Sequence, residues 1–335
     1  MSNDSVIITG MGHEYPQFEL DNQFFENLEI ETSAQWIEER TGIKNRQSVL
    51  SPQTIQGLRS QEISHADLRS RGLIPGMESL VSQSWQQAVA RSGSDTDPVW
   101  VVSGSSVPDY HIPSQANIIA AKLNLNGACL DVNTACSSFI SNLAVCRGLA
   151  ATNGAFNAAV FNVERYTTCL DYKDRNSCVL FGDGSACAIL AKGEGLAGLK
   201  IVDVLVRSNS QGFENVQIPV GGYFSQHGAR VQKFAISKTC EVSQDILARN
   251  QLTSQDLNYF IGHQANYRML SEVCRKLQIS PDRHLYNVDV RGNQGAAGAP
   301  CVLSHNWETF KKGDRILVSV VGSGLTWGSA LLECV

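Results

Sequence analysis

The strongest constraint on the fold is a regular alternation of short apolar stretches with segments of helical periodicity. Val6–Thr9, Val99–Ser103, Ala158–Val163, Val179–Leu190, Ile201–Ser208, Tyr259–Gly262 and Ile316–Val321 are predicted strands. Between them, Met77–Arg91, Pro113–Leu123, Ser137–Ala151, Lys233–Asn250 and Arg268–Leu277 are predicted helices. Such alternation argues for an α/β architecture with buried sheets. An internal echo adds to it. The stretches Val179–Leu190 and Ser319–Leu332 both read as strand, glycine turn, strand, and each closes one half of the chain. The short polar turn Lys192-Gly-Glu-Gly195 is the expected boundary between residues 1–192 and residues 193–335, joined as one rigid body.

Composition narrows the function. The chain has 335 residues, 43% of them hydrophobic and 18% charged, enough for a full globular core. A net charge of −5 gives no electrostatic reason to expect a nucleic acid. No apolar run approaches the roughly 20 residues that span a bilayer, and no secretory leader is evident, so no membrane partner is expected. The ten cysteines form no C-x-x-C pair and have irregular spacings. They read as reduced, mostly buried thiols of a cytoplasmic protein, with no metal site.

Chemistry concentrates in three segments. Asp131-Val-Asn-Thr-Ala-Cys136-Ser-Ser runs from a strand-like stretch through a small-residue turn into a helix. A thiol there would face unpaired N–H groups and the positive end of the helix dipole, which favours the nucleophilic thiolate. Downstream lie Gly262-His263-Gln264-Ala265-Asn266 and Arg291-Gly292-Asn293-Gln294-Gly295. Together the three suggest a cysteine–histidine–asparagine acyl-transfer site. Cys136 would carry a covalent thioester, splitting one hard step into two. His263 and Asn293, as neutral donors, would hold a thioester carbonyl and then an enolate. Gly322-Ser323-Gly324 follows a strand but lacks the continuing βαβ unit that a dinucleotide loop requires.

With TACSS at 134–138, HQANYR at 263–268, GNQGAAG at 292–298 and GSGLTWGSALLE at 322–333, the chain resembles the β-ketoacyl-acyl carrier protein synthase III family of the thiolase superfamily. Trp36-Ile-Glu-Glu-Arg40-Thr-Gly-Ile43 and Val179-Leu-Phe-Gly-Asp-Gly184 fit the same group, so the resemblance spans nearly the whole chain. It implies a five-layered αβαβα fold built from two duplicated βαβαβαββ halves. The implied activity is a decarboxylative Claisen condensation between an acyl primer on Cys136 and a malonyl or related thioester, as in fatty acid or polyketide-type biosynthesis. No cofactor is expected beyond coenzyme A or phosphopantetheine thioesters as substrates. Alternatives are a specialised-metabolite member, acyl transfer without decarboxylation, and a non-catalytic partner subunit of a heterodimeric synthase.

The resemblance also implies roles for single residues. Backbone N–H groups of Cys136 and Ser323 would cradle the acyl oxyanion. Trp36, Arg40 and Arg175 would hold coenzyme A, and Lys233 and Arg268, with Arg275 and Lys276, would meet an acidic acyl carrier protein. Ile112 would gate the acyl pocket of a partner subunit in a homodimer. Residues 51–79 depart from the family pattern, adding roughly 20 residues that include Arg59, Arg69 and Arg71. They read either as a surface excursion or as a segment that shapes the acyl pocket or docks a partner.

Overall fold

A computed structural model describes residues 5–93, 97–152 and 156–335. Nine strands form the large sheet of the described residues: β1 (Val6–Glu14), β2 (Trp100–Gly104), β3 (Ala128–Asp131), β4 (Asn157–Glu164), β5 (Gly184–Lys192), β6 (Leu199–Ser208), β7 (Tyr259–Gly262), β8 (Arg315–Gly322) and β9 (Thr326–Cys334). Their spatial order is β7-β8-β9-β6-β1-β5-β4-β2-β3. The helices used below are α1 (Ala34–Thr41), α2 (Pro52–Ser60), α3 (His65–Ser70), α4 (Ser82–Ser92), α5 (Gln115–Leu123), α6 (Ser138–Thr152), α7 (Gly228–Arg249), α8 (Tyr267–Leu277) and α9 (Gly298–His305).

The same pairing pattern occurs twice. In the first half β2 runs parallel to β4, β4 antiparallel to β5, and β5 antiparallel to β1. In the second half β7 runs parallel to β8, β8 antiparallel to β9, and β9 antiparallel to β6. A short antiparallel contact, Ile7 with Lys200 and Ile8 with Leu199, links the two sets across β1 and β6. The duplication expected from the sequence is therefore present in the strand pairing, with β4 rather than Val179–Phe181 as the counterpart of β8.

Helices complete five layers. On the first half α4 packs against β1 and β5 from outside, and α5 against β2 and β3. In the middle, α9 packs on β1, β5 and β7, while α6 packs on β2, β4, β6 and β9. On the far side α7 covers β6, β8 and β9, with α8 against α7. This central position explains the sequence of α6. Phe139, Ile140, Leu143, Cys146 and Ala150 are all buried, because sheet covers the helix on both sides. Strands β5, β8 and β9, buried on both faces, read as nearly continuous apolar runs for the same reason.

Some element boundaries differ from expectation. Met77–Arg91 splits into a 3-10 turn, Met77–Leu80, and α4. Val179–Phe181 is not strand. It lies in a turn whose Phe181 bridges to Asn293, so the ladder begins only at Gly184. The extra segment folds into α2 and α3. Ser51 caps α2, Ser64 and Asp67 form a capping box on α3, and Ile55, Leu58 and Leu68 enter the first-half core. No helix among the described residues is long and apolar enough to cross a membrane.

Leu143 reaches the core from the layer that both halves share. Leu143→Ala should therefore lower unfolding free energy by about 2–5 kcal/mol, the usual cost of a buried leucine cavity. Urea unfolding is expected to give a lower midpoint with one cooperative transition. Two separate transitions would contradict a shared central layer.

Candidate active site

The nucleophile segment is a pinned turn. Asp131, at the end of β3, accepts hydrogen bonds from the backbone of Gln115 (2.7 Å) and Ala116 (2.9 Å), tying the turn to α5. Asn133 Oδ1 then accepts from the Ala135 N–H at 2.8 Å, and Ala135 holds a positive φ of 51°. A non-glycine residue in that region carries local strain that its surroundings must hold in place. Ser137 Oγ donates to the Thr134 carbonyl at 2.6 Å. Ser138 Oγ donates to the Ala135 carbonyl at 2.7 Å and accepts from the Thr134 N–H at 2.9 Å. The two serines after Cys136 thus fix the turn that presents it. From the other half, Gly322 backs the turn so closely that a Cβ there would lie 2.4 Å from the Thr134 oxygen.

The histidine segment divides its labour. Gln264 is fully buried; its Nε2 donates to the Gly262 carbonyl at 2.8 Å, and its Oε1 accepts from the N–H groups of Asn287 and Val288. Asn266 caps α8 by accepting from the Met269 N–H at 2.7 Å. With both neighbours anchored, His263 is left on the cavity wall at the end of β7. Burial pushes its imidazole down to about 4, so the ring is neutral at physiological pH. No side chain among the described residues hydrogen-bonds that ring.

Asn293 is held by its backbone, which exchanges bonds with Leu180 (2.8 Å) and Gly182 (3.0 Å). Its Oδ1 accepts from the Gly295 N–H at 3.0 Å. With that oxygen engaged, the amide NH₂ remains as the free donor. The adjacent Gln294 donates to the Asp183 carbonyl at 2.8 Å, joining this turn to the Phe-Gly-Asp-Gly segment.

Cys136, His263, Asn293 and Ser323 line one cavity of about 470 Å³, together with Trp36 and Arg40. Four distant segments converge on it. Arg40 lies 5.9 Å and Arg175 5.0 Å from the centre of the Trp36 ring, a cation–aromatic cluster near the mouth. Arg268 is exposed and donates to the Glu39 carbonyl at 3.0 Å. Lys233 lies outside this cavity, in a surface hollow with Lys276 that shares Ala229 and Gln232 with it. Arg275 and Lys276 are paired with Glu272. Ile112 is 85% exposed, on the wall of a second cavity of about 710 Å³. That cavity is also lined by His65, Leu68 and Arg69 from α3, so the extra segment does reach a cavity rather than only the surface.

One expectation is corrected. Cys136 lies two residues ahead of α6, and burial, followed by the negative charge of Glu164, pushes its thiol up to about 12. That direction favours the thiol at rest, opposite to the thiolate expected from a helix terminus. The sequence reading also passed over Ser106, Glu164 and Tyr166, which stand behind Cys136. The Tyr166 hydroxyl lies 3.6 Å from Sγ. A visible signal existed: Glu164 ends the otherwise uncharged run Ala158-Ala-Val-Phe-Asn-Val163.

Comparison with known proteins matches residues 130–210 to the 3-oxoacyl-[acyl-carrier-protein] synthase III model and residues 247–334 to the C-terminal model of the same enzymes. The β-ketoacyl-[acyl-carrier-protein] synthase III of Rhodospirillum centenum is 30% identical, with 98% of each chain covered. The chain belongs to this family. The synthase III of Azobacteroides pseudotrichonymphae is 29% identical over 99% of this chain and 98% of its own. The crystal structure of 3-oxoacyl-(acyl carrier protein) synthase III from Pseudomonas aeruginosa superposes with a TM-score of 0.86 at 26% identity, covering 98% of both chains. In family terms, the thiolase-like architecture expected from the sequence is the one observed.

A neutral His263 has a direct spectroscopic consequence. Its ring resonances should stay unshifted between pH 5.5 and 8 and move only as pH falls toward about 4. A titration of the imidazole by NMR with a midpoint near the ordinary 6.5 would contradict the burial described for it.

Proposed function

We propose that the chain catalyses decarboxylative Claisen condensation, joining an acyl primer carried on Cys136 to a malonyl or related thioester. The observation that carries this reading is the convergence of Cys136, an uncharged His263 and Asn293 on one cavity. Coenzyme A or carrier-protein thioesters are the substrates, in fatty acid or polyketide-type biosynthesis.

In the first half-reaction the sulfur of Cys136 attacks the primer carbonyl and the carrier thiol departs. The backbone N–H groups of Cys136 and Ser323 stabilise the oxyanion. In the second, the malonyl thioester enters, and His263 and the Asn293 amide donate to its carbonyl oxygen. As the carboxylate leaves as CO₂, negative charge gathers on that oxygen, where the two donors strengthen their hold. The enolate carbon then attacks the acyl group on Cys136 and expels its sulfur as the thiolate, which takes up a proton to restore the thiol. A neutral imidazole suits the step, because it donates without placing a proton on the enolate.

Trp36 with Arg40 and Arg175 supports binding of the nucleotide end of coenzyme A, and exposed Arg268 supports contact with an acidic carrier. Lys233 belongs to the outer rim of that contact. A member acting on an unusual primer is favoured by one observation: α3 joins Ile112 on the wall of the second cavity. Division into halves 1–192 and 193–335 agrees with the repeated strand pairing. Ten free cysteines fit a reducing, cytoplasmic setting.

Cys136→Ala should abolish acyl loading, whereas His263→Ala and Asn293→Ala should spare loading and slow condensation about 100–1,000-fold, the usual cost of one oxyanion donor. Intact-mass kinetics with acyl-coenzyme A and then malonyl thioester separate the two halves. Equal loss of loading in all three variants would remove His263 and Asn293 from the decarboxylating step.

Ile112 is an isoleucine left almost wholly in solvent, beside exposed Tyr110 and Val220. A two-fold homodimer would cover it, each copy closing the other's acyl pocket. Light scattering at micromolar concentration should give twice the chain mass of 36.5 kDa. A value equal to the single chain would exclude both the dimer and the shared pocket.

A further inference from the structure

Behind Cys136 stands a chain of hydroxyl groups ending on a buried carboxylate. Ser106 Oγ donates to Glu164 Oε1 at 2.9 Å, and the Tyr166 hydroxyl donates to Ser106 Oγ at 2.9 Å. Cys136 Sγ lies 3.6 Å from the Tyr166 oxygen. Because the Tyr166 proton is already given to Ser106, and that of Ser106 to Glu164, the S–H of Cys136 is the donor to Tyr166. Every proton in the row points the same way, from sulfur to carboxylate.

We propose that Tyr166, Ser106 and Glu164 form a proton path that removes the thiol proton of Cys136 as the sulfur attacks. The S–H bond breaks as its proton passes to Tyr166, the Tyr166 proton passes to Ser106, and that of Ser106 passes to Glu164. The carboxylate ends as a carboxylic acid, and the freed electron pair on sulfur forms the new S–C bond. One proton on Glu164 matches the one that the departing carrier thiolate takes up. This rests on the reading of Cys136 as the nucleophile. Tyr166 touches the reacting sulfur, and Ser106 and Glu164 act through it.

Charge gives the path its purpose. Glu164 is fully buried, and no cation among the described residues pairs with it. The neighbouring Arg165 guanidinium is turned to Asp109 at 2.5 Å instead. The carboxylate is steadied by the N–H groups of Ser106 (3.0 Å) and Ala296 (3.2 Å), yet burial still raises it to about 7. Its negative charge is the second cause that raises the Cys136 thiol. Moving the proton from sulfur to Glu164 therefore forms the nucleophile and removes the charge that opposed it in a single event. The other titratable groups facing Glu164 are Tyr166 and Cys169, both pushed upward by burial, so neither titrates near neutrality. Asp183, beside the strand partner of Glu164, is engaged with Thr167 and Val49. Rigidity supports the geometry: Tyr166 stacks on Phe181 at 4.5 Å, and a Cβ on Gly295 would lie 2.4 Å from the Tyr166 ring.

Alkylation of Cys136 by iodoacetamide, followed by peptide mass across pH 5–10, tests the path without any acyl donor. The wild-type rate should rise through a limb near pH 7 as Glu164 becomes able to accept a proton. Tyr166→Phe keeps the ring and the charge of Glu164 but cuts the row; Glu164→Gln keeps the shape but cannot accept. Both should lose on the order of 100-fold at pH 7, the usual worth of general base catalysis, and rise tenfold per pH unit with no limb. Ser106→Ala should behave likewise. A Tyr166→Phe variant alkylated at the wild-type rate, or a Glu164→Gln variant alkylated faster than wild type at pH 7, would overturn the path and leave Glu164 as only a nearby charge. Loss of acyl loading by the wild type with this pH profile intact would instead count against the condensation reading.

Discussion

Desolvation is the largest influence on Cys136 and His263 at the cavity and on Glu164 behind it, and the rest of the site is arranged around that cost. His263 sits in the wall with its ring uncharged, Cys136 keeps its proton, and Glu164 holds its charge only weakly at neutral pH. Transfer of a charge from water into such a place is expensive unless it is paired, and here the groups give up charge instead. The chemistry follows from that choice. Neutral donors at a buried position favour an enolate as it forms, whereas a cation in their place would also hold the malonyl carboxylate and resist its loss. Buried groups also link the fold to pH. As pH falls from about 6.5 toward 4, the unfolded chain gains protons that half-buried His13 and buried His263 and His284 refuse, so their contribution to stability declines. Glu164 and Asp183, raised to about 7 and about 6, act in the opposite sense, because the folded chain takes up their protons first.

A pocket of this kind needs walls from distant parts of the chain, and the repeated topology supplies them. The nucleophile turn leads into α6 in the central layer, His263 leaves the end of β7, and Gly322 leaves the end of β8. Close backbone approach holds these parts in register. Gly322 touches the turn before Cys136, and the Asn293 backbone pairs with the Leu180–Gly182 turn of the other half. Each contact crosses from one half to the other, so the site exists only when both halves are packed.

Much of this was legible in the residues. The strand–helix alternation foretold the sheet, since strands buried on both faces must be apolar throughout, whereas the echo between Val179–Leu190 and Ser319–Leu332 misplaced one strand: Val179–Phe181 is a turn, and the counterpart of β8 is β4. The three motifs converge on one cavity, and two of them couple the candidate side chain to small or anchoring neighbours: Ser137 and Ser138 for the turn, Gln264 and Asn266 for the histidine. What escaped was set by distance. The protonation state of Cys136 depends on Glu164 and Tyr166, which belong to another strand and its following turn, and no local pattern relates them. Lys233, read as part of the same rim as Arg268, lies in an adjoining hollow, because side-chain direction along a 22-residue helix is decided by packing. The extra segment gave no local sign that His65 and Arg69 would line a cavity with Ile112, which is 47 and 43 residues away by chain.

Single-turnover mixing of acylated protein with a malonyl thioester tests the central claim most directly. Three quantities are followed together: acyl-Cys136 by mass, CO₂ released and β-ketoacyl product formed. Condensation through Cys136 predicts that acyl-Cys136 disappears, CO₂ appears and product forms at one rate and in equal amounts. CO₂ release that leaves acyl-Cys136 intact, or loss of the acyl group to water with no new carbon–carbon bond, would contradict it.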